Sequence, residues 1–481
     1  MVGLKWSVVQ QIVFQGMNYG SLLLLANLVS IQHFGTVALC TVLVGLFEML
    51  NGFGMGSLII KDMIRDDRSV STLFWMSVGL SLLLYVLFLL AGLGYSYFYR
   101  AANLLEFYSI LAVSGVTILF NGSNEIFAAQ YRRDLDFKFA AVSDTGSIFL
   151  SVVVSLLLAK QGFGVWALVA KNVIPVVAQW FFYWWHGRYK ILAHFDKAYA
   201  RSHGAFTFHL SSFSVINYLI RNLDYVIVGK FLGESALGEY TLAYKFMLFP
   251  MKNVTSRVQT LLFPVLAAAK EAPARLASLY FKAVSLIAYA VFPVMFLASA
   301  LAEIWVSVVF SQKFPHMIAL VQILAIVGAV QSTTSPVGML FMIAGRTDAM
   351  LKVSLVQFLI LGSGFLLGGL SGSVVTFALI YGVLYVFVAF PLSNVVPFRL
   401  SGFKLSSLSN ALYQPALAAS LSAGLAWVTG YLTADQAPLV RLAVSVFSGC
   451  ASYLFFIQWF SGRSLAENRE YCLQLWREAR R

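Results

Sequence analysis

Long apolar runs alternate with short charged or Gly/Pro-bearing connections along the whole chain. Each run is close to the length of about 20 residues with which a helix, rising 1.5 Å per residue, crosses the hydrocarbon of a bilayer. About fourteen spans are predicted in this way, at 8–31, 36–60, 70–94, 106–128, 140–159, 164–185, 207–230, 239–266, 278–300, 317–341, 350–370, 373–396, 409–432 and 438–460. The expected fold class is therefore an all-α polytopic membrane protein.

Composition supports this reading. Of 481 residues, 60% are hydrophobic and 11% charged, so no water-facing surface could accommodate the apolar majority, and function has to be sought in the polar minority. The excess of 33 Lys and Arg over 20 Asp and Glu does not point to nucleic acid. With an even number of spans and the N-terminus inside, about 23 of the 33 basic residues fall in cytoplasmic segments, about six outside and about four within helices. They lie in loops such as Lys61 to Arg68, Arg132 to Lys138 and Arg188 to Arg201, as topology and anionic lipid require. Both termini are expected in the cytoplasm. The tail residues Arg463, Arg469, Arg477, Arg480 and Arg481, with Trp459 and Trp476, read as an inner-leaflet anchor. Cys40, Cys450 and Cys472 have neither the number nor the spacing of a disulfide framework or zinc site. The run after Lys5 is too long for a signal-peptide core, so the first helix should remain as an anchor.

The longest inner connection separates two six-helix blocks. The expected organisation is an N-terminal lobe over 1–186, a linker over 187–206, a C-terminal lobe over 207–398, two further spans over 399–460 and a basic tail over 461–481. An internal echo agrees: Phe34-Gly35-Thr36-Val37-Ala38-Leu39 resembles Leu237-Gly238-Glu239-Tyr240-Thr241-Leu242. Six spans lie between the two, so both blocks enter the membrane from the same side, as a parallel repeat does.

At 100° per residue, polar side chains fall into stripes. Gln11, Gln15 and Asn18 share an arc of about 60° on the first span, and Ser114, Thr117, Asn121, Asn124 and Glu125 one of about 100° on the fourth. Glu48 and Asn51 add to these on a second span rich in glycine. The amides serve equally well as interhelical hydrogen-bond glue or as a lumen lining, whereas Glu48 and Glu125 are more readily read as functional.

The second half has the opposite sign. Thr241, Lys245, Lys252, Ser256 and Gln259 lie within about 60° on the eighth span, along a line about 27 Å long that Pro250 should bend. Each lysine at the bilayer centre costs about 3 kcal/mol, so the pair should face a watery cavity or an anion. On the seventh span Ser214, Asn217, Arg221 and Asp224 share a face, and the last two are spaced for either an intrahelical ion pair or substrate contact. A surplus of positive charge in this half predicts an anionic ligand.

Enzyme-like signals fall away. Gly52, Gly54 and Gly56 sit in a membrane helix with no preceding strand, which excludes a nucleotide-binding loop. The six histidines are dispersed, and neither a metal site nor a catalytic residue is expected.

A series of motifs, in order over roughly the first 400 residues, resembles one family. It comprises Phe34-Gly35 with Gly52-Phe53-Gly54-Met55-Gly56-Ser57, then Gln130-Tyr131-Arg132-Arg133-Asp134-Leu135-Asp136-Phe137-Lys138 and Gly162-Phe163-Gly164-Val165-Trp166. Arg221-Asn222-Leu223-Asp224-Tyr225, Leu237-Gly238-Glu239-Tyr240, Pro264 and Ser335-Pro336 through Gly345-Arg346 complete it. The chain resembles the polysaccharide transporter family of the multidrug/oligosaccharidyl-lipid/polysaccharide (MOP) exporter superfamily, the Wzx-type flippases.

The resemblance implies two lobes rocking about a central cavity, in a bacterial inner membrane. It also implies flipping of an undecaprenyl-pyrophosphate-linked oligosaccharide from the cytoplasmic to the periplasmic leaflet for exopolysaccharide, O-antigen or capsule. Lys245, Lys252 and Arg221 are then expected to hold pyrophosphate. Gln11, Gln15, Asn18, Asn51, Asn121, Asn217, Ser256 and Gln259 are expected to meet sugar hydroxyls, and Glu48, Glu125 or Asp224 to couple an ion. No cofactor is expected beyond a coupling H+ or Na+; the resemblance implies polysaccharide polymerase or export machinery as a partner. A drug or cation antiporter of the same superfamily would favour an acidic cavity. A membrane glycosyltransferase or polymerase would need a sizeable outer loop, and no outer loop here exceeds about 16 residues by these spans.

Overall fold

The computed structural model describes residues 2–51, 55–61, 63–99, 103–134, 136–186, 190–197, 199, 218–219, 221–310 and 313–461, and among them all regular structure is helical. Among the described residues, ten helices are long and apolar enough to cross a membrane. Three more, of 27, 36 and 28 residues, have sufficient length. Large apolar side chains such as Leu83, Leu90, Phe149, Phe387 and Phe447 stand exposed, as they should where lipid is the solvent. The protein is a multi-pass membrane protein. Packing divides it into two compact units, Met1–Gly238 and Glu239–Arg481.

The first unit contains α1 (Val2–Leu28), α2 (Ile31–Asn51), α3 (Met55–Lys61), α4 (Asp67–Tyr99), α5 (Leu104–Ser114), α6 (Val116–Arg133), α7 (Phe137–Lys160), α8 (Val165–His186) and α9, helical over 221–231. Its tightest seam joins α7 to α8. Ser143, Ser147, Ser151 and Ser155 recur every fourth residue along α7, all buried, and such small side chains let helix axes approach closely. The seam is closed by a turn in which Gly162 and Gly164 have φ of 83° and 48°, a left-handed conformation that costs other residues about 1–2 kcal/mol.

Two features were not anticipated. Part of the presumed linker lies along α4: the Leu192 N–H donates to Ser71 Oγ at 2.8 Å, Trp75 Nε1 donates to the Leu192 carbonyl at 2.8 Å, and Tyr199 joins the apolar cluster around Phe74, Phe127 and Tyr131. Secondly, the echoed glycines face each other's backbones. A β-carbon on Gly35 would overlap the Glu234 carbonyl, and one on Gly238 the Ile31 carbonyl. Beside them Thr36 Oγ1 donates to Glu234 Oε2 at 2.8 Å.

The second unit contains α10 (Gly233–Ala268, from Glu239 on), α11 (Pro273–Ala300), α12 (Ala302–Phe310), α13 (Met317–Thr334), α14 (Val337–Ile343), α15 (Thr347–Leu370), α16 (Val374–Leu384), a π turn (Tyr385–Ala389), α17 (Phe390–Ser401), α18 (Leu405–Leu432) and α19 (Pro438–Ser461). One core cluster gathers Leu266, Tyr280, Val284, Leu340 and Phe398. The last two helices are packed into this unit: α18 runs against α11 and α19, and Tyr453 Oη of α19 donates to the Tyr289 carbonyl at 2.8 Å. In the π turn the Phe390 N–H bonds to the Tyr385 carbonyl, and the Ala389 carbonyl at its end accepts from Gln357 Nε2 at 2.9 Å and from Ser393 Oγ at 2.8 Å.

Candidate functional site

In the first unit the polar stripes converge. Glu48 on α2 faces α6, where its Oε1 accepts from Thr117 Oγ1 at 2.5 Å and from Asn121 Nδ2 at 2.6 Å. Two neutral donors thus converge on one carboxylate oxygen. One turn further on, Asn51 is only 2% exposed; its amide donates to the Ile118 carbonyl at 2.5 Å and its oxygen accepts from Ser81 Oγ at 2.9 Å. Asn51 thus fastens α2 to α4 and α6. Asn124 is likewise buried, its amide on the Val176 carbonyl at 2.9 Å.

Glu125 lies over Gly56, where a β-carbon would crowd its side chain, and forms a 2.7 Å ion pair with Arg132. Both members are more than a third exposed, so the pair contributes little to stability. On α1, Gln11, Gln15 and Asn18 are half-buried, and the Asn18 carbonyl accepts from Lys171 Nζ at 2.9 Å and from Ser21 Oγ at 2.9 Å. Arg221 is exposed and Asp224 is 4% exposed; no ion pair joins them among the described residues. Asn217 and Ser214 lie outside the described residues, as do the tail arginines.

In the second unit Lys245, Lys252 and Ser256 are exposed and Gln259 is half-buried along one face of α10, whereas Thr241, at the start of the expected line, is 4% exposed. Ser256 is turned back onto its own helix, its hydroxyl donating to the Lys252 carbonyl. The two ammoniums repel each other, and among the described residues neither has a carboxylate partner. Like charges held along one helix face raise the local positive potential. The structure therefore joins Glu48 to Asn121 and aligns Lys245 with Lys252, while Arg221 packs in the first unit and the lysines in the second.

Three polar groups escaped the reading of the sequence. Lys171 stands seven residues into an apolar run, the same signal that exposed Lys245. Asp144 on α7 accepts from Gln179 on α8; each was legible as an isolated polar residue within a span, but their pairing depends on the α7–α8 seam.

Residues 24–319, more than half of the chain, match the family described as polysaccharide biosynthesis protein. The chain is 24% identical over 370 residues to the lipopolysaccharide biosynthesis protein WzxC of Escherichia coli (strain K12), covering 76% of this chain and 74% of that one. It is 24% identical over 468 residues to the teichuronic acid biosynthesis protein TuaB of Bacillus subtilis (strain 168), covering 95% of each. Among solved structures it is similar in fold to the lipid II flippase MurJ in an inward closed conformation, with a TM-score of 0.71 at 13% identity over 95% of this chain and 98% of that one. Sequence motifs, helical architecture and the extent of the match lead to one assignment: the chain belongs to the polysaccharide biosynthesis protein family.

Proposed function

We infer that the protein is a flippase that moves a lipid-pyrophosphate-linked oligosaccharide, of the undecaprenyl type, from the cytoplasmic to the periplasmic leaflet of a bacterial inner membrane. The observation that carries this reading is the pair Lys245 and Lys252, exposed on one face of α10 without a carboxylate partner among the described residues. Pyrophosphate is the matching ligand, since charge-assisted contacts to phosphate are about twice as strong as neutral hydrogen bonds. Membership of a polysaccharide biosynthesis family and a fold shared with a lipid II flippase support the same substrate class. No bond is broken in such a cycle; the protein alternates between two states around the headgroup.

Glu48, held by Thr117 and Asn121, is the position for a coupling H+ or Na+ in this scheme. Each elementary charge moved through 100 mV supplies about 2.3 kcal/mol, enough to bias a two-state cycle. The half-buried amides Gln11, Gln15 and Gln259 meet sugar hydroxyls, and the flipped unit passes to polymerisation and export machinery.

Deleting the gene should cause lipid-linked repeat units to accumulate on the inner leaflet. Replacing both Lys245 and Lys252 by Ala should lower polymer output at least tenfold with the protein still in the membrane, since a lost charge-assisted contact is worth about 1.5–3 kcal/mol. Normal polymer output from the double variant would reject the anion site. Monosaccharide precursors accumulating unassembled would point to an enzyme instead.

A further inference from the structure

The mouth of the first unit formed by the α3–α4 connection and the C-terminal end of α6 contains a cavity of about 410 Å³ lined by Arg65, Asp67, Gln130, Arg133 and Asp134. Two of its charges are already satisfied. Arg133 is nine-tenths buried, bonds to Asp134 through Nε at 2.8 Å and Nη2 at 3.1 Å, and donates through Nη1 to the Ile64 carbonyl. The other two are not. Arg65 and Asp67 are exposed, and among the described residues neither side chain has a hydrogen bond or ion pair, not even with the other. Opposite charges two residues apart that line one cavity without pairing complement a ligand that itself carries two separated opposite charges.

The level of this cavity in the membrane is set by its neighbours. Tyr131, two residues before Arg133, shares a 2.7 Å hydrogen bond with His186 Nδ1 at the end of α8, and the adjoining Trp184 and Trp185 are 54% and 80% exposed. Exposed tryptophans at a span end mark the headgroup layer. At the end of α3 and in the α3–α4 connection Ile60 and Met63 are also exposed, and Met63 has φ of 48°, a left-handed conformation that a methionine adopts at a cost. Apolar side chains thus flank a charged mouth at the depth where phospholipid headgroups lie.

We propose that this cavity binds the headgroup of phosphatidylethanolamine, with Arg65 receiving the phosphate and Asp67 the primary ammonium. The proposal concerns binding and does not rest on transport. It is tested by native mass spectrometry of the purified full-length protein with phosphatidylethanolamine or phosphatidylcholine of the same acyl chains. The expected result is retention of phosphatidylethanolamine about tenfold over phosphatidylcholine, whose quaternary ammonium cannot donate a hydrogen bond to Asp67. Asp67→Asn should erase that preference, and Arg65→Gln should weaken both lipids, with thermal unfolding unchanged in each. Equal retention of the two lipids by the unaltered protein, or a preference that survives Asp67→Asn, would overturn the assignment. So would displacement of the lipid by soluble phosphoethanolamine at equal concentration, which would give the cavity to a water-borne ligand.

Discussion

Single residues carry two separable duties here, and burial distinguishes them. Asn51 and Asn124 are enclosed and bonded to neighbouring backbones, so they hold helices together. Glu48 is half-buried and offers its carboxylate to two neutral donors, with no ion pair among the described residues. Helical spacing placed these side chains on common faces, yet it could not tell glue from lining, because that depends on which neighbour lies opposite. Outside the spans, Asp66 caps α4: its carboxylate accepts from the Ser69 N–H at 2.9 Å and hydroxyl at 3.0 Å, and these bonds hold its pKa below the usual carboxylate range. A depressed folded-state pKa gives stability that is complete above the unfolded value near 3.9 and is lost as pH falls through the folded one. Asp66→Ala should accordingly lower the thermal midpoint at pH 7, and the gap to the unaltered protein should close as the pH is taken below 3.9. A gap of constant size would show that the carboxylate charge is not the stabilising element.

At the scale of helices, glycine decides which elements touch. Gly35 and Gly238 were visible in the sequence as an echo, and the structure gives the echo a physical reason, since each allows α2 and the start of α10 to meet backbone to side-chain position. Gly35→Val should destabilise the first unit by about 1–3 kcal/mol, the range for overpacking a close contact, read as a fall in thermal midpoint in detergent. An unchanged midpoint would mean that the contact yields at no cost. The lysine face of α10 was legible for a simpler reason: a charge in an apolar run needs an account wherever the helix lies. The docking of Leu192 and Asp196 on α4 was not legible, because a polar connection between spans looks the same whether it is fastened or free.

Among the described residues, apolar run length sufficed to locate the long helices, since lipid forces each crossing to satisfy its own backbone; the first part of the expected span 207–230 lies outside those residues. Sidedness is a further expectation from basic residues. Alkaline phosphatase fused after Gly162 or Asp435 should be active, and fused after Lys190 or Gly402 inactive; the reverse pattern would invert the topology. The division at Gly238 was hidden because packing, not chain connectivity, draws it. Angular reading reached its limit at Tyr385–Ala389. A turn closed by an i to i+5 bond accommodates one additional residue, so everything from Phe390 onward is rotated by about 100° from where a wheel drawn from Val374 would put it. Asn394 and Pro397 reach the interior with that offset, and relatives lacking the additional residue would present a different azimuth of this helix inward even where the letters agree.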